Sequence, residues 1–529
     1  MPNITTPTPF DHILFWPVQL EGPEIATTSP KSWVKWIEAQ GKNGGTQWVR
    51  AGLWNRGDPG ITVKQHLAEA SYFYPFVRDI LFRESESESH CLEVMVRDDV
   101  KTVSVQAKKD SQPVIFDVRR MQLYLVETRV AMLVVELTND LVRPIGDLAE
   151  VLDSFRRTYP PYYDREDRGG HCPQIVEWQG SGGSKLPGIS TSTYHGQTIL
   201  NSERHTPVSK HFEDLLKPLV HWEPSKADRE KHPATWRQLG DERMLSMTFL
   251  ALPDPKALTR QDFIRLTFLD AGSSDTLPYS EAFMADFEQK HCYDRYWDPD
   301  TPGHDWMTTR FTNCGHHMLI IAKDDREDKW PFVMDARSGL LFHFRQHYFH
   351  LGMFVHMQHA SLITFLELLY RAIRKPGGEE RNVAVQDIQE RFARFSSGIW
   401  FTELTPQTQG RELYALWMRQ MGTLQLYDEV KAEIGLAHDV LTNVQRDRQS
   451  KQSLDLTKLA TLILPLTAVV GIFGMNYPVF PDWEFYRCYI QPDWWPWAGL
   501  ALEVLLLCVF WFAAYSITRF ILRTKANGS

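Results

Sequence analysis

Two apolar runs near the C-terminus constrain this 529-residue chain more than any other feature. Leu459 to Met475 reads LATLILPLTAVVGIFGM and carries no charged residue. Trp497 to Thr518 reads WAGLALEVLLLCVFWFAAYSIT and carries one, Glu503. A membrane-spanning helix needs about 20 mostly apolar residues. The second run meets that length, and Asp455-Leu456-Thr457-Lys458 extends the first toward the headgroups. Glu503 stands about two turns from a cluster of Trp residues, close enough to reach the interface. The rest is polar: mean hydropathy is −0.34 and 23% of residues are charged. The pattern predicts a large water-soluble part followed by two transmembrane helices.

The flanks set the orientation. Arg446, Arg448, Lys451 and Lys458 precede the first run, and Arg519, Arg523 and Lys525 follow the second. The connecting segment holds Asp482, Glu484 and Asp493 against Arg487. Positive charge stays on the cytoplasmic side, so both termini are expected in the cytosol and the acidic loop outside. Trp483, Trp494, Trp495 and Trp497 then form the outer aromatic belt. The plasma membrane is favoured over an organelle membrane.

Upstream, apolar residues recur in steps of three and four at Leu413, Trp417, Met421, Leu424, Tyr427, Val430, Ile434, Ala437, Leu441 and Val444. That spacing is a coiled-coil-like seam. Only Gly422 and Gly435 interrupt it, so one helix is expected from Gly410 to Met475, about 100 Å long at 1.5 Å per residue. Shorter helices are expected at Ala360–Arg374 and Arg381–Phe401, with Pro376-Gly377-Gly378 as the turn between them. The first 350 residues read as an α/β domain. Leu92–Val96, Gln122–Thr128, Val130–Leu137 and Met318–Ala322 have strand composition. Tyr159–Pro187 reads as a long loop, and the acidic run at Glu84–Ser89 as a solvated one. The fold class is therefore an α/β cytosolic domain (1–350), a helical stalk (351–458) and an α-helical membrane part. That part comprises helix one at 459–476, a loop at 477–496, helix two at 497–519 and a basic tail at 520–529.

Several functions are excluded. A net charge of −9 argues against nucleic acid as a partner. The six cysteines contain no CxxC pair, which points to neither a disulfide framework nor a zinc ribbon. The N-terminus lacks the basic and apolar regions of a cleaved signal. Gly180–Lys185 lacks the phosphate-loop spacing. His343 and His347 stand four apart, in a group with His350, His356 and His359. No local carboxylate or cysteine completes a metal set, so they read as packing residues. No nucleophilic triad or carboxylate pair emerges, and the chain reads as a non-enzyme without an organic cofactor.

The first apolar run ends in Phe473-Gly474-Met475-Asn476. A Gly-Met-Asn triplet at the outer end of the first of two C-terminal spans resembles the CorA superfamily of divalent cation channels, which includes the ZntB-like branch. Pro465-Leu466-Thr467, Gly471 and Pro481-Asp482-Trp483-Glu484 resemble further parts of that pattern. Over the first 350 residues the likeness is one of architecture only. The resemblance implies a homo-oligomer, a pentamer, in which the first helix lines an axial pore. Gly474, Met475 and Asn476 would be the selectivity filter. Leu464, Thr467 and Gly471 would line the pore, and Asp482 and Glu484 would attract cations at its mouth. Acidic stalk residues in the family bind Mg²⁺ between subunits and favour the closed state. Counted back from the motif, Asp439 falls at such a position, which makes Mg²⁺ a gating ligand as well as the transported ion.

The chemistry is consistent with that implication. Mg²⁺ dehydrates reluctantly and keeps its waters. A ring of neutral amide oxygens can hydrogen-bond the water shell and still release the ion. Asn476 supplies the amide, and Gly474 leaves its carbonyl open. Zn²⁺ transport and a non-conducting, membrane-anchored receptor are the alternatives. The topology is directly testable, because Asn3-Ile4-Thr5 and Asn527-Gly528-Ser529 are glycosylation sequons. Neither should carry glycan in secretory-pathway membranes, whereas a sequon placed in the 477–496 loop should. Glycan on Asn3 would invert the orientation.

Overall fold

The computed structural model describes residues 8–474 apart from 23–28, 42–46, 53–61, 83–90, 109–110, 142–143, 159–171, 187–188, 190, 194–207, 222–233, 241–242, 271–276, 336 and 377, and beyond 474 only scattered helical positions between 504 and 519. Side chains of some residues from 444 onward also lie outside the description. The chain divides into unit 1, Met1–Gly435, and unit 2, Leu436–Ser529.

Unit 1 is built on one strand. The described strands are β1 (Thr8–Glu21), β2 (Val49–Arg50), β3 (Leu92–Val96), β4 (Thr102–Gln106), β5 (Val114–Val126), β6 (Val130–Leu141), β7 (Ile175–Gln179), β8 (Ser192–Thr193), β9 (Val220–His221), β10 (Thr235–Gln238), β11 (Leu245–Leu252), β12 (Cys292–Tyr293), β13 (Arg310–Asn313) and β14 (His317–Lys323). They form one sheet in the order β12-β13-β14-β11-β1-β6-β5-β4-β7-β8, with β10 also on β1 and β3 also on β5. β1 pairs with β6 along one edge, from Thr8 opposite Leu141 to Gln19 opposite Val130. Its other edge is shared: β11 covers Phe10 to Phe15, and β10 covers Val18 to Glu21. Proline is normally excluded from a central strand because it cannot donate to the ladder. Pro17 fits because it falls in the gap between those two partners. Its carbonyl, on the same edge, accepts from Leu239 N at 3.2 Å. β7 lies inside the segment expected to be a loop, pairing with β4 from Gln179 opposite Thr102.

Helices cover both faces of the sheet, which is why β1 is buried along nearly its whole length. On the first face lie α1 (Pro30–Gly41), α4 (Ile145–Phe155), α5 (Lys210–Leu215) and α6 (Arg260–Phe268). Two short helices, α2 (Val63–Ala70) and α3 (Pro75–Phe82), precede α4 in the chain, and α7 (Glu281–His291) follows α6. Phe10, Leu14, Trp16, Val18 and Leu20 alternate into this core against Trp33, Leu152, Phe212 and Phe263. Full burial of each such apolar side chain contributes about 1.5–3 kcal/mol.

The second face receives α8 (Leu340–His343), a π-helical turn (Phe344–Tyr348) and α9 (Phe349–Ile373). Phe15 stacks on Phe349 at 5.8 Å, and Phe249 meets Phe344 at 5.7 Å. A buried charge cluster pins this layer to the sheet. Arg345 Nε donates to Asp11 Oδ2 at 2.6 Å. Arg120 Nε donates to Glu136 Oε2 at 2.8 Å, and its second nitrogen donates to the Arg345 carbonyl at 2.7 Å. Burial pushes the Asp11 carboxyl above the usual carboxylate range, against the opposing pull of Arg345. Breaking one partner of such a buried pair costs about 3–5 kcal/mol.

The remaining helices are α10 (Gly378–Gly398), α11 (Thr408–Gln420) and α12 (Thr423–Gly474). The helix expected to run unbroken from Gly410 is broken at Gly422, whose φ of +64° lies in the left-handed region that glycine adopts freely. Gly435, by contrast, sits inside α12 without interrupting it. Trp417 of α11 docks on α9 where Gly352 leaves room. A Cβ at Gly352 would fall 2.4 Å from the Trp417 ring, while one at Gly435 would meet nothing. Trp417 Nε1 donates to the Gly315 carbonyl at 3.0 Å. Both glycines are helical, so Ala gains about 1 kcal/mol of propensity at each. At Gly352 overpacking costs about 1–3 kcal/mol and outweighs the gain. Gly352→Ala should therefore lower the denaturation midpoint and Gly435→Ala should raise it. Equal shifts in the same direction would contradict this packing.

Candidate functional site in the helical C-terminal region

The predicted seam divides in the structure. Leu413, Trp417, Val430 and Ile434 are buried within unit 1. Tyr427, at the start of α12, is clamped by aromatic rings: Trp400 stacks on it at 4.1 Å and Phe392 at 5.5 Å, and its hydroxyl donates to Ser396 Oγ at 3.2 Å. The apolar face of residues 413–434 is thus covered by the chain's own head, whereas the periodicity alone suggested a partner helix. Leu424 falls off this face and is exposed. From Gly435 to Leu464 no described side chain is buried, and Leu436, Val440, Leu456, Leu459, Ile463 and Leu464 are large apolar side chains left open.

The residues implied to line a pore lie on α12. Leu464 is 67% exposed. Thr467 is exposed, and its hydroxyl donates back to the Leu464 carbonyl at 3.0 Å. Its polar hydrogen is therefore satisfied inside the helix and needs no partner from outside. Gly471 and Gly474 belong to the last turn of α12. Met475, Asn476, Asp482 and Glu484 lie outside the described residues, as do most positions of the second apolar run. Among the described residues no helix is long and apolar enough to cross a membrane.

Asp439 is exposed on α12 in unit 2 and makes no ion pair among the described residues. Asp455, further along, is bound to Lys458 at 3.0 Å. No group of three or more His, Cys, Asp or Glu among the described residues is placed to hold a metal ion. The histidines of the second face are packed against rings. His350 meets Phe82 at 5.3 Å and His356 meets Trp417 at 5.1 Å, and burial lowers the pKa of both. Sequence reasoning did not single out Trp400 or Phe392, whose contact with Tyr427 fixes the start of α12. Their aromatic character was the available signal.

An α/β head followed by a helical C-terminal region is the class of molecule defined here, with Gly474 closing the long helix. Residues 400–515 match the family model described as CorA-like Mg²⁺ transporter protein, and this part of the chain is similar to that family. The match starts at the residue after Ile399 and takes in Tyr427, all of α12, the Gly-Met-Asn triplet and most of the second apolar run. Members of that family are transporters or channels rather than enzymes. No curated protein matches the chain.

Proposed function

We propose that the chain is a passive divalent-cation transporter of the CorA type, with Mg²⁺ as the first ion. The observation that carries this reading is the family match over 400–515, which brackets the triplet Gly474-Met475-Asn476 between two apolar runs. In this reading 459–476 and 497–519 cross the bilayer and both termini are cytosolic. Five copies place their first helices around one axis. The apolar side chains left open on α12 then face lipid or neighbouring helices. Thr467 does not itself demand assembly, because its hydroxyl is already bonded. The demand comes from the open apolar surface and from the Asn476 amide, which needs polar partners within a membrane.

The roles follow from charge and hydration. Five Asn476 amides offer neutral oxygens to the water shell of Mg²⁺, and the Gly474 carbonyl adds to them. Leu464 narrows the path, and a hydrophobic constriction can close a pore by dewetting. Asp482 and Glu484 raise the local cation concentration at the mouth. Asp439 would hold Mg²⁺ between neighbouring subunits and bias the closed state. Zn²⁺ remains the alternative ion. The non-conducting receptor reading draws support from residues 1–399, which lie outside the family match.

Uptake of Mg²⁺ into liposomes loaded with a fluorescent indicator tests this reading, with oligomeric state checked by native mass measurement. Asn476→Ala should abolish uptake while preserving a multimer. Asn476→Asp should reduce it, because a ring of carboxylates holds a divalent ion too tightly to release. Gly474→Ala should impair it by crowding the carbonyl. Normal uptake by an assembled Asn476→Ala protein would remove the triplet from the filter and favour the receptor.

A further inference from the structure

Unit 1 holds a cavity of about 600 Å³ that plays no part in the pore reading. It opens between β13, the segment 325–338, the π-helical turn and the first residues of α11. That volume lies within the range of small-molecule sites. Its floor carries His347, which is 2% exposed. Neither ring nitrogen of His347 has a hydrogen-bond partner among the described residues. The ring is wedged against Gly410, where a Cβ would come 2.5 Å from Nε2. Burial holds it at about 3, so it stays neutral, and both ring nitrogens are covered by neighbouring groups rather than open to the cavity.

The mouth is aromatic and acidic. Trp330 is 83% exposed, Phe332 72% and Trp306 71%, three large rings left open around one cavity. Exposed apolar area gathered at one place marks a binding surface. Asp305 and Asp328 are exposed on the same lining, against Lys323. A third carboxylate, Asp325, is already committed. It accepts from the backbone nitrogens of Phe332, Val333 and Met334 at 2.5, 2.6 and 2.9 Å, and so shapes the loop that presents Trp330. The face of an indole attracts cations, and the chain's own Lys329 ammonium already stands 5.9 Å from the Trp330 ring. An anion would meet two free carboxylates and electron-rich ring faces. A bare metal ion would find His343 and His347 but no completed ligand set among the described residues.

We propose that this cavity binds a small organic cation, an ammonium group carried on an apolar body. Its body lies between Phe311 and the rings at the mouth, its charged head meets the open indole faces, and Asp305 and Asp328 provide the attractive field. The site includes Gln407, Gln409 and Gly410, which open α11 within the family-matched segment, so an occupant touches the head and that segment together.

Titration of the full-length protein in neutral detergent tests the assignment, using 2-phenylethylammonium as probe and ligand-observed saturation-transfer NMR as readout. The ammonium should bind roughly tenfold more tightly than 2-phenylethanol or 3-phenylpropanoate. Its N,N,N-trimethyl form keeps the charge and should still bind, because ring faces and carboxylates recognise charge rather than a donated hydrogen. Trp330→Ala removes a side chain with little packing of its own, so the fold survives and affinity for the ammonium should fall roughly tenfold. Asp305→Asn with Asp328→Asn should weaken it severalfold. Equal binding of the alcohol, tighter binding of the anion, no binding of the trimethyl form, or no saturable ammonium binding would each overturn the proposal. So would an unchanged affinity in Trp330→Ala, which would indicate partition into detergent.

Discussion

The seating of Trp417 against Gly352 is the contact on which the rest of the architecture depends. It joins the segment matched by the family model to the α/β head. Gly352 supplies the missing Cβ, Gly315 supplies the carbonyl acceptor, and His356 closes the indole edge-on. Gly315 is itself approached closely, since a Cβ there would lie 2.9 Å from the Gln420 carbonyl. With α11 fixed, Gly422 redirects the chain and Tyr427 locks the first turns of α12 between Trp400 and Phe392. The start of the long helix is thus set by aromatic packing inside unit 1.

The second face of the sheet carries this arrangement. Its apolar contacts give affinity without direction, whereas the Asp11–Arg345–Glu136–Arg120 cluster has fixed partners. Arg345 and Asp11 are 334 residues apart in sequence. The first face shows the same economy with neutral groups. His317 Nδ1 donates to the Thr267 carbonyl at 2.9 Å, which leaves Nε2 to accept from Thr248 Oγ1 at 2.7 Å. Thr248 in turn accepts from His12 Nδ1 at 2.8 Å. Burial keeps both imidazoles neutral, so this chain of bonds carries no charge to desolvate.

Much of the fold was legible where composition is one-sided. Leu92–Val96 is β3, and the runs at Gln122, Val130 and Met318 fall in β5, β6 and β14. The helices at Ala360 and Arg381 correspond to parts of α9 and α10. β1 was missed because Pro9 and Pro17 argue against a central strand, and the gap between β10 and β11 that admits Pro17 is a tertiary fact. β7 was missed because Pro and Gly residues surround a five-residue strand. The helical seam was read correctly as an apolar face at Leu413, Trp417, Val430 and Ile434 but not at Leu424, and periodicity does not say what covers it. Residues 413–434 turned out to be core of the head. In the candidate site the motif is legible as letters and spacing, because a triplet at the end of an apolar run needs no tertiary information. The cavity was not legible. Its lining is drawn from four stretches between Tyr296 and Gly410, which only the fold brings together.

Central to the account is passive movement of a divalent cation through the membrane part. The most direct test is the initial rate of Mg²⁺ entry into proteoliposomes at a series of imposed membrane potentials. A divalent ion crossing the full field gains about 4.6 kcal/mol per 100 mV. The account predicts that entry accelerates as the interior is made negative, slows as it is made positive, and needs no added energy source. Entry no faster than in protein-free liposomes at any potential would contradict it.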